Sequence, residues 1–293
     1  MGARLRPMPD THGLLAIHAH PDDEVITTGG VLRHSVVRGF RVKVVTCTDG
    51  SRGEVVGEGM DPAEVFPRLA EVRRGEIANA LGALGVTEHE FLGYADSGMM
   101  GTEGNEDPAS FWQADMHEAI GRVVAIIRSF KPSVFVTYDP FGGYGHPDHI
   151  QTHRVGLLAV EAASMAALYP EAGPVWRTPK AYYTAIPKSG IVKMNQMFLD
   201  RGLPSPFGEE IDPAEIPMGT DDDLITSLVD VSEHIEDKQA ALKAHHSQIS
   251  PESFFLNVPD DLIPTLYGTE SFVRVRSDVR VDDELETDLF SGL

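Results

Sequence analysis

Cysteine occurs once in the 293 residues, at Cys47. No intrachain disulfide can form, which fits a reducing compartment. Cys47 lies in the apolar stretch Val44-Val45-Thr46-Cys47, the setting of a buried core thiol rather than of a nucleophile or ligand. Basic residues are also scarce: 24 stand against 45 acidic ones, a formal net charge of −21. A surface that acidic repels the phosphates of nucleic acids and anionic lipids, so both are set aside as partners. No apolar run approaches the length needed to cross a bilayer. The stretch from Met1 to His12 holds two arginines but no apolar segment of the signal-peptide kind, so a cytoplasmic location is expected. Gly29-Gly30 follows the first predicted strand, but the dinucleotide fingerprint G-x-G-x-x-G is missing.

What remains is ordinary for a globular protein: 42% apolar and 24% charged residues, in a chain long enough for one large α/β domain. Strands are expected at Leu14–His18, Arg41–Thr48, Glu90–Leu92, Ser133–Tyr138, Lys180–Ile186 and Leu224–Val231. Helices are expected at Gly29–Val37 with Thr28 as cap, Arg68–Leu84 stopped by Gly85, Phe111–Phe130, Pro147–Ala166, Ile191–Leu199 and Ser232–His245 capped by Ser232. Strands that alternate with helices imply right-handed crossovers and a mostly parallel, Rossmann-like sheet flanked by helices. Residues 1–170 read as that core. Residues 171–293 read as a less regular C-terminal region packed against its ligand edge, with the proline- and acid-rich 202–219 stretch as a loop over the site.

Two segments carry the chemistry. His18-Ala19-His20-Pro21-Asp22-Asp23-Glu24 follows the first strand, and Tyr144-Gly145-His146-Pro147-Asp148-His149 follows the Ser133–Tyr138 strand. Both therefore sit at carboxyl ends of strands, where open α/β sheets bind ligands. Five of the 12 histidines (His18, His20, His146, His149 and His153) fall in or beside them. Imidazole and carboxylate together suit Zn2+ or Fe2+, and two histidines with one carboxylate leave positions open for water and substrate. A spare carboxylate beside the ligands can take a proton from water, and Asp22-Asp23 supplies one ligand and one base. Asp148 is placed to orient a histidine, and Tyr144 offers a phenol to a developing oxyanion. Either segment alone reads equally well as solvated acids and core histidines. Paired, they point to a metal site.

These segments resemble the LmbE-like, or PIG-L-like, family of zinc-dependent deacetylases. The match is close to two of its members, the GlcNAc-inositol deacetylase of mycothiol synthesis and the mycothiol S-conjugate amidase. It runs from His18 to His153 and continues more weakly through Lys243–Gln248 and Glu286–Leu289. The resemblance implies zinc on His20, Asp23 and His149, with Asp22 as general base. His146 would be a positively charged partner or general acid oriented by Asp148, and Tyr144 would polarise the amide carbonyl. It further implies a small sugar-conjugate substrate met by Arg73 on its inositol side and by Asp96 on the sugar, with His245 and Gln248 near the site. Thr27 and Gly145 look deacetylase-like. The region Ser250–Arg274, with Phe254-Phe255, looks more like the amidases. The balance leans to N-deacetylation of a GlcNAc conjugate. The conjugate amidase and a paralogue acting on a secondary metabolite stand as alternatives, and a non-catalytic sugar- or nucleotide-binding module is the reading from another class. A homo-oligomer is compatible with all of these.

Overall fold

The computed structural model describes residues 12–202, 216, 218–281 and 285–293. Its centre is a seven-stranded sheet in the order β3-β2-β1-β4-β5-β7-β6. The strands are β1 (Gly13–His18), β2 (Arg41–Thr48), β3 (Glu88–Tyr94), β4 (Val134–Thr137), β5 (Lys180–Ala185), β6 (Ser227–Asp230) and β7 (Thr269–Ser277). The first five pair in parallel, whereas β7 runs antiparallel between β5 and β6. The expected mostly parallel sheet is thus present, with an antiparallel extension at one edge.

The helices are α1 (Asp23–Val37), α2 (Pro62–Val65), α3 (Leu69–Leu84), α4 (Met116–Phe130), α5 (Pro147–Ala163), α6 (Lys188–Leu199), α7 (Ile235–Ala244) and α8 (Ile263–Tyr267). Strand alternation separates two cores. Leu14, Ala16, Val42, Val44, Val134 and Val136 face the layer holding α1, α3 and α7. Leu15, Ile17, Val45 and Phe135 face the layer holding α4 and α5. β1 and β4 are buried at every position, as central strands covered on both faces must be.

Several boundaries differ from the sequence expectation. α1 begins at Asp23 rather than Gly29. Thr28 does not cap it but lies inside it, its hydroxyl donating to the Glu24 carbonyl at 2.7 Å. The expected helix 111–130 is split: Phe111–Gln113 is a single tight turn, and α4 starts afresh where Asp115 accepts the Glu118 N–H at 2.8 Å. Ser232 opens a tight turn rather than capping α7. β7 had no counterpart in the sequence reading. Of the 202–219 stretch, residues 203–215 and 217 lie outside the described residues. Among the described residues no helix is long and apolar enough to cross a membrane.

The order of strands places the site. From β1 the chain moves outward through β2 to β3. From β4, the other neighbour of β1, it moves the opposite way to β5. β1 and β4 therefore flank the topological switch point, where the loops leaving adjacent strands diverge and open a crevice. The two His/Asp segments are those two loops.

Candidate metal centre

The turn after β1 brings His20 and Asp23 together. The Asp23 Oδ2 accepts the backbone N–H of His20 at 2.8 Å and lies 3.3 Å from its Nδ1. The loop after β4 ends at His146, which caps α5. Pro147 takes the first helical position, where its missing N–H costs nothing. His149, in the first turn of α5, places Nε2 3.2 Å from Asp23 Oδ2 and 3.3 Å from His20 Nδ1. Three potential ligand atoms thus form a triangle with sides of 3.2, 3.3 and 3.3 Å. Ligands about 2.0–2.1 Å from a tetrahedral zinc stand roughly 3.3–3.4 Å apart, so the donor set fits such an ion. The ring of Tyr138 stacks on His149 with centroids 4.2 Å apart, fixing its plane.

Carboxylates crowd the imidazoles of the triangle. Burial alone would lower the pKa of His20, but Asp96, Asp148 and Asp23 surround it and raise it well above the usual histidine value. Burial alone would raise Asp23, yet His149 and His20 hold it well below the carboxylate range. A bound metal supplies the same positive charge. His20, Asp96, His146 and Asp148 form a second buried group of potential ligand atoms that shares His20 with the first.

Asp22, beside the ligand triangle, lines a cavity of about 1070 Å3. Its φ of 115° is rare outside glycine and costs of order 1–3 kcal/mol. Burial pushes its carboxyl up to about 6, with Arg73 opposing and Asp23 adding to the shift. The Tyr144 hydroxyl lies 3.5 Å from His149 Nε2, and the residue, 43% exposed, lines the cavity from the loop after β4.

His146 and Asp148 meet in a way the sequence did not indicate. The His146 Nδ1 accepts the backbone N–H of Asp148 at 3.1 Å. The Asp148 carboxylate turns elsewhere, to the Ser97 N–H at 2.8 Å, the Ser97 hydroxyl, and His20 Nε2 at 3.2 Å. Burial, then His20 and His149, lower His146 to about 4, so the imidazole is neutral near pH 7 with its proton on Nε2.

Of the four residues expected near the substrate, Asp96, Gln248 and Arg73 border the cavity. Asp96 is anchored by the N–H groups of Gly98 at 2.8 Å and Arg52 at 3.2 Å. The Gln248 amide donates to the Glu54 carbonyl at 2.8 Å. Arg73 is only 2% exposed, and His245 is wholly buried behind Glu24. The other two motif histidines are structural: His18 bonds Thr28 and Tyr138, and His153 bonds the Tyr138 carbonyl. Cys47 is buried, as expected. Sequence reasoning missed Ser97, Glu24 and Tyr138. Glu24 closes the first His/Asp segment and Ser97 follows Asp96, but their partners are far away in sequence. Tyr138 directly follows β4 and carries no motif of its own.

Comparison with known proteins gives this arrangement its class. Residues 15–160 match the family described as PIG-L: GlcNAc-PI de-N-acetylase. The chain is 40% identical over 292 residues to a 1D-myo-inositol 2-acetamido-2-deoxy-alpha-D-glucopyranoside deacetylase of Geodermatophilus obscurus, covering 98% of this chain and 99% of that protein. It is 42% identical to a protein of the same description from Catenulispora acidiphila, over 96% of this chain and 89% of that one. Among solved structures, N,N'-diacetylchitobiose deacetylase from Pyrococcus horikoshii shares the fold, with a TM-score of 0.61 and 20% identity over 92% of this chain and 86% of that one. The chain belongs to the PIG-L family of de-N-acetylases and is an amide hydrolase.

Proposed function

We propose that the protein is a zinc-dependent N-deacetylase of GlcNAc-inositol, acting in the cytoplasm. The observation that carries this reading is the convergence of His20, Asp23 and His149 beside a second carboxylate, Asp22, at one wall of the cavity. The two relatives described above are named for deacetylation of that substrate and align along nearly their whole length. His20, Asp23 and His149 would hold the ion, which when bound lowers the pKa of a water toward neutrality and polarises the amide carbonyl. Asp22 accepts the proton of the attacking water and returns it to the leaving amine. A carboxyl near neutrality suits both halves of that exchange. The Nε2–H of His146 and the hydroxyl of Tyr144 donate to the developing oxyanion. Asp96 and Gln248 contact the sugar conjugate, and described residues of the C-terminal region, among them Ile191, Met194 and Phe254, supply the far wall of the site.

One feature favours a second reading, the conjugate amidase. The cavity wall drawn from the C-terminal region includes Ile191, Met194, Leu228, Phe254, Phe255 and Leu266, an apolar surface that GlcNAc-inositol alone does not need. A competition assay on metal-loaded protein separates the two by following amine release from GlcNAc-inositol and from a mycothiol S-conjugate. Preference for GlcNAc-inositol supports the deacetylase and preference for the conjugate supports the amidase. Release from neither overturns both in favour of a paralogue with another amide substrate.

A further inference from the structure

One wall of the cavity is the long loop 95–115 between β3 and α4, which contributes Asp96, Gly98, Met99, Thr102, Glu103 and Gly104. Its regular pieces are two tight turns, Glu103–Glu106 and Phe111–Gln113. A loop of that length needs support from side chains outside it. Arg52, in the turn after β2, reaches across to supply it. Its Nε donates to the Asp96 carbonyl at 2.7 Å, and a terminal nitrogen donates to Asp107 Oδ2 at 2.7 Å. Its backbone N–H donates to Asp96 Oδ2 at 3.2 Å. The loop closes tightly on this side chain. A Cβ on Gly104 would lie 2.6 Å from its Nε, and one on Gly98 would lie 3.5 Å from its Cδ. One residue thus holds Asp96 by backbone and carboxylate together and ties it to Asp107 farther along the loop.

A part-exposed ion pair such as Arg52–Asp107 fixes little by itself. The bond to Asp96 matters more, because Asp96 is buried and its carbonyl would lose that donor with the guanidinium. Ser97, next in the chain, has its own supports: it donates to Asp148, and its hydroxyl oxygen accepts the Trp112 N–H at 3.0 Å. Arg52 therefore bears on the sugar-facing wall rather than on the metal side. We infer that Arg52 is a positioning residue that sets the Asp96 carboxylate in the cavity wall and so governs affinity for the sugar conjugate. The inference rests on Asp96 contacting that conjugate.

The test uses the metal-loaded full chain with GlcNAc-inositol as substrate, in the variants Arg52→Ala, Arg52→Lys and Asp96→Ala and in each Arg52 variant combined with Asp96→Ala. Zinc affinity is measured for each. Positioning predicts that Arg52→Ala raises KM at least about fivefold, with kcat within about threefold and zinc affinity unchanged. Adding Arg52→Ala to Asp96→Ala should raise KM no further, because Arg52 acts through Asp96. Arg52→Lys keeps the stem and the charge but lacks the fork that bonds Asp96 and Asp107 together. It carries the test if Arg52→Ala does not fold, with a rise of at least about twofold that likewise vanishes beside Asp96→Ala. Losses that multiply in the double variants would make Arg52 a substrate contact in its own right and overturn the proposal. Weaker zinc binding in the Arg52 variants would also overturn it, since the loop would then have loosened as far as Ser97 and Asp148. An unchanged KM in Asp96→Ala would instead sink the sugar-contact reading. A raised KM in Asp96→Ala beside unchanged Arg52 variants sinks only the positioning claim.

Discussion

The carboxylate of Asp148 meets Nε2 of His20 at 3.2 Å, while only the backbone of Asp148 touches its near neighbour His146. Ser97 donates to both carboxylate oxygens and so fixes Asp148. A carboxylate in that position keeps the His20 proton on Nε2 and turns Nδ1 toward the ligand triangle. Outer-shell partners of this kind typically contribute 10–100-fold to metal affinity. Asp148→Ala is therefore expected to weaken zinc binding by about that factor, read by competition against a chromophoric chelator. Unchanged affinity would mean that His20 is oriented by its other neighbours alone.

Removing the ion tests the ligand triangle directly. Chelation should abolish turnover, and zinc should restore it. At a free zinc concentration of about 100 Kd the ion stabilises the fold by roughly 2.7 kcal/mol, so the melting temperature should drop by about 5 °C or more on chelation. His149→Ala should melt at the same temperature with and without zinc. A zinc-dependent shift that survives in His149→Ala would place the ion elsewhere.

Asp22 separates catalysis from binding. Asp22→Asn retains the size of the side chain and the ligand set but cannot take a proton. It should lower kcat by about 10²–10⁴ with one metal per chain still bound. Loss of metal along with activity would make Asp22 a ligand rather than a base.

Much of this arrangement can be read in the sequence, and the part that cannot has a physical cause. The switch point follows from β1 and β4, whose apolar runs mark central strands and whose following loops hold the two His/Asp segments. The segments are contiguous, so residue types and spacing reveal them. What holds them in place is not contiguous: Ser97 is 51 residues from Asp148, and His245 is 221 residues from Glu24. The start of α1 was misplaced because Thr28-Gly29-Gly30 has the composition of a helix entry. In the fold Gly30 lies against Val231, and both Gly30 and Val31 donate their N–H groups to the Glu270 carboxylate. β7 escaped because its alternate positions hold Arg274 and Arg276, which pair with Glu286 and Glu161 across the fold.

The loop after β4 offers a matched pair of glycines. Gly142 and Gly143 both have positive φ, 68° and 76°. A Cβ on Gly142 would lie 2.5 Å from the Cβ of His149, whereas one on Gly143 would meet nothing within 4 Å. Both alanine variants suffer the same backbone strain, of order 1 kcal/mol, but only Gly142→Ala must also displace His149. Zinc affinity should fall in Gly142→Ala and stay near the wild-type value in Gly143→Ala. Equal losses would trace the effect to strain in the loop rather than to the ligand.

The Glu24–His245 pair gives the fold a defined pH response. Burial opposes charge on His245, but Glu24 and, less strongly, Asp22 outweigh it and Arg73, so the folded-state pKa is raised above 6.5. Its contribution to stability is therefore complete below about pH 6.5 and is lost as pH rises through the raised value. Burial likewise opposes charge on Glu24, but His245 and the Asp22 N–H lower it below 4.5, so its contribution holds above that value and is lost as pH falls through the lowered one. The coupling between the two should be greatest between about pH 4.5 and 6.5. A double-mutant cycle of Glu24→Gln and His245→Gln, measured by urea unfolding of metal-free protein, should give a larger coupling energy near pH 5.5 than at about pH 9. Equal coupling at the two pH values would mean that the pair is held as a neutral hydrogen bond rather than as an ion pair.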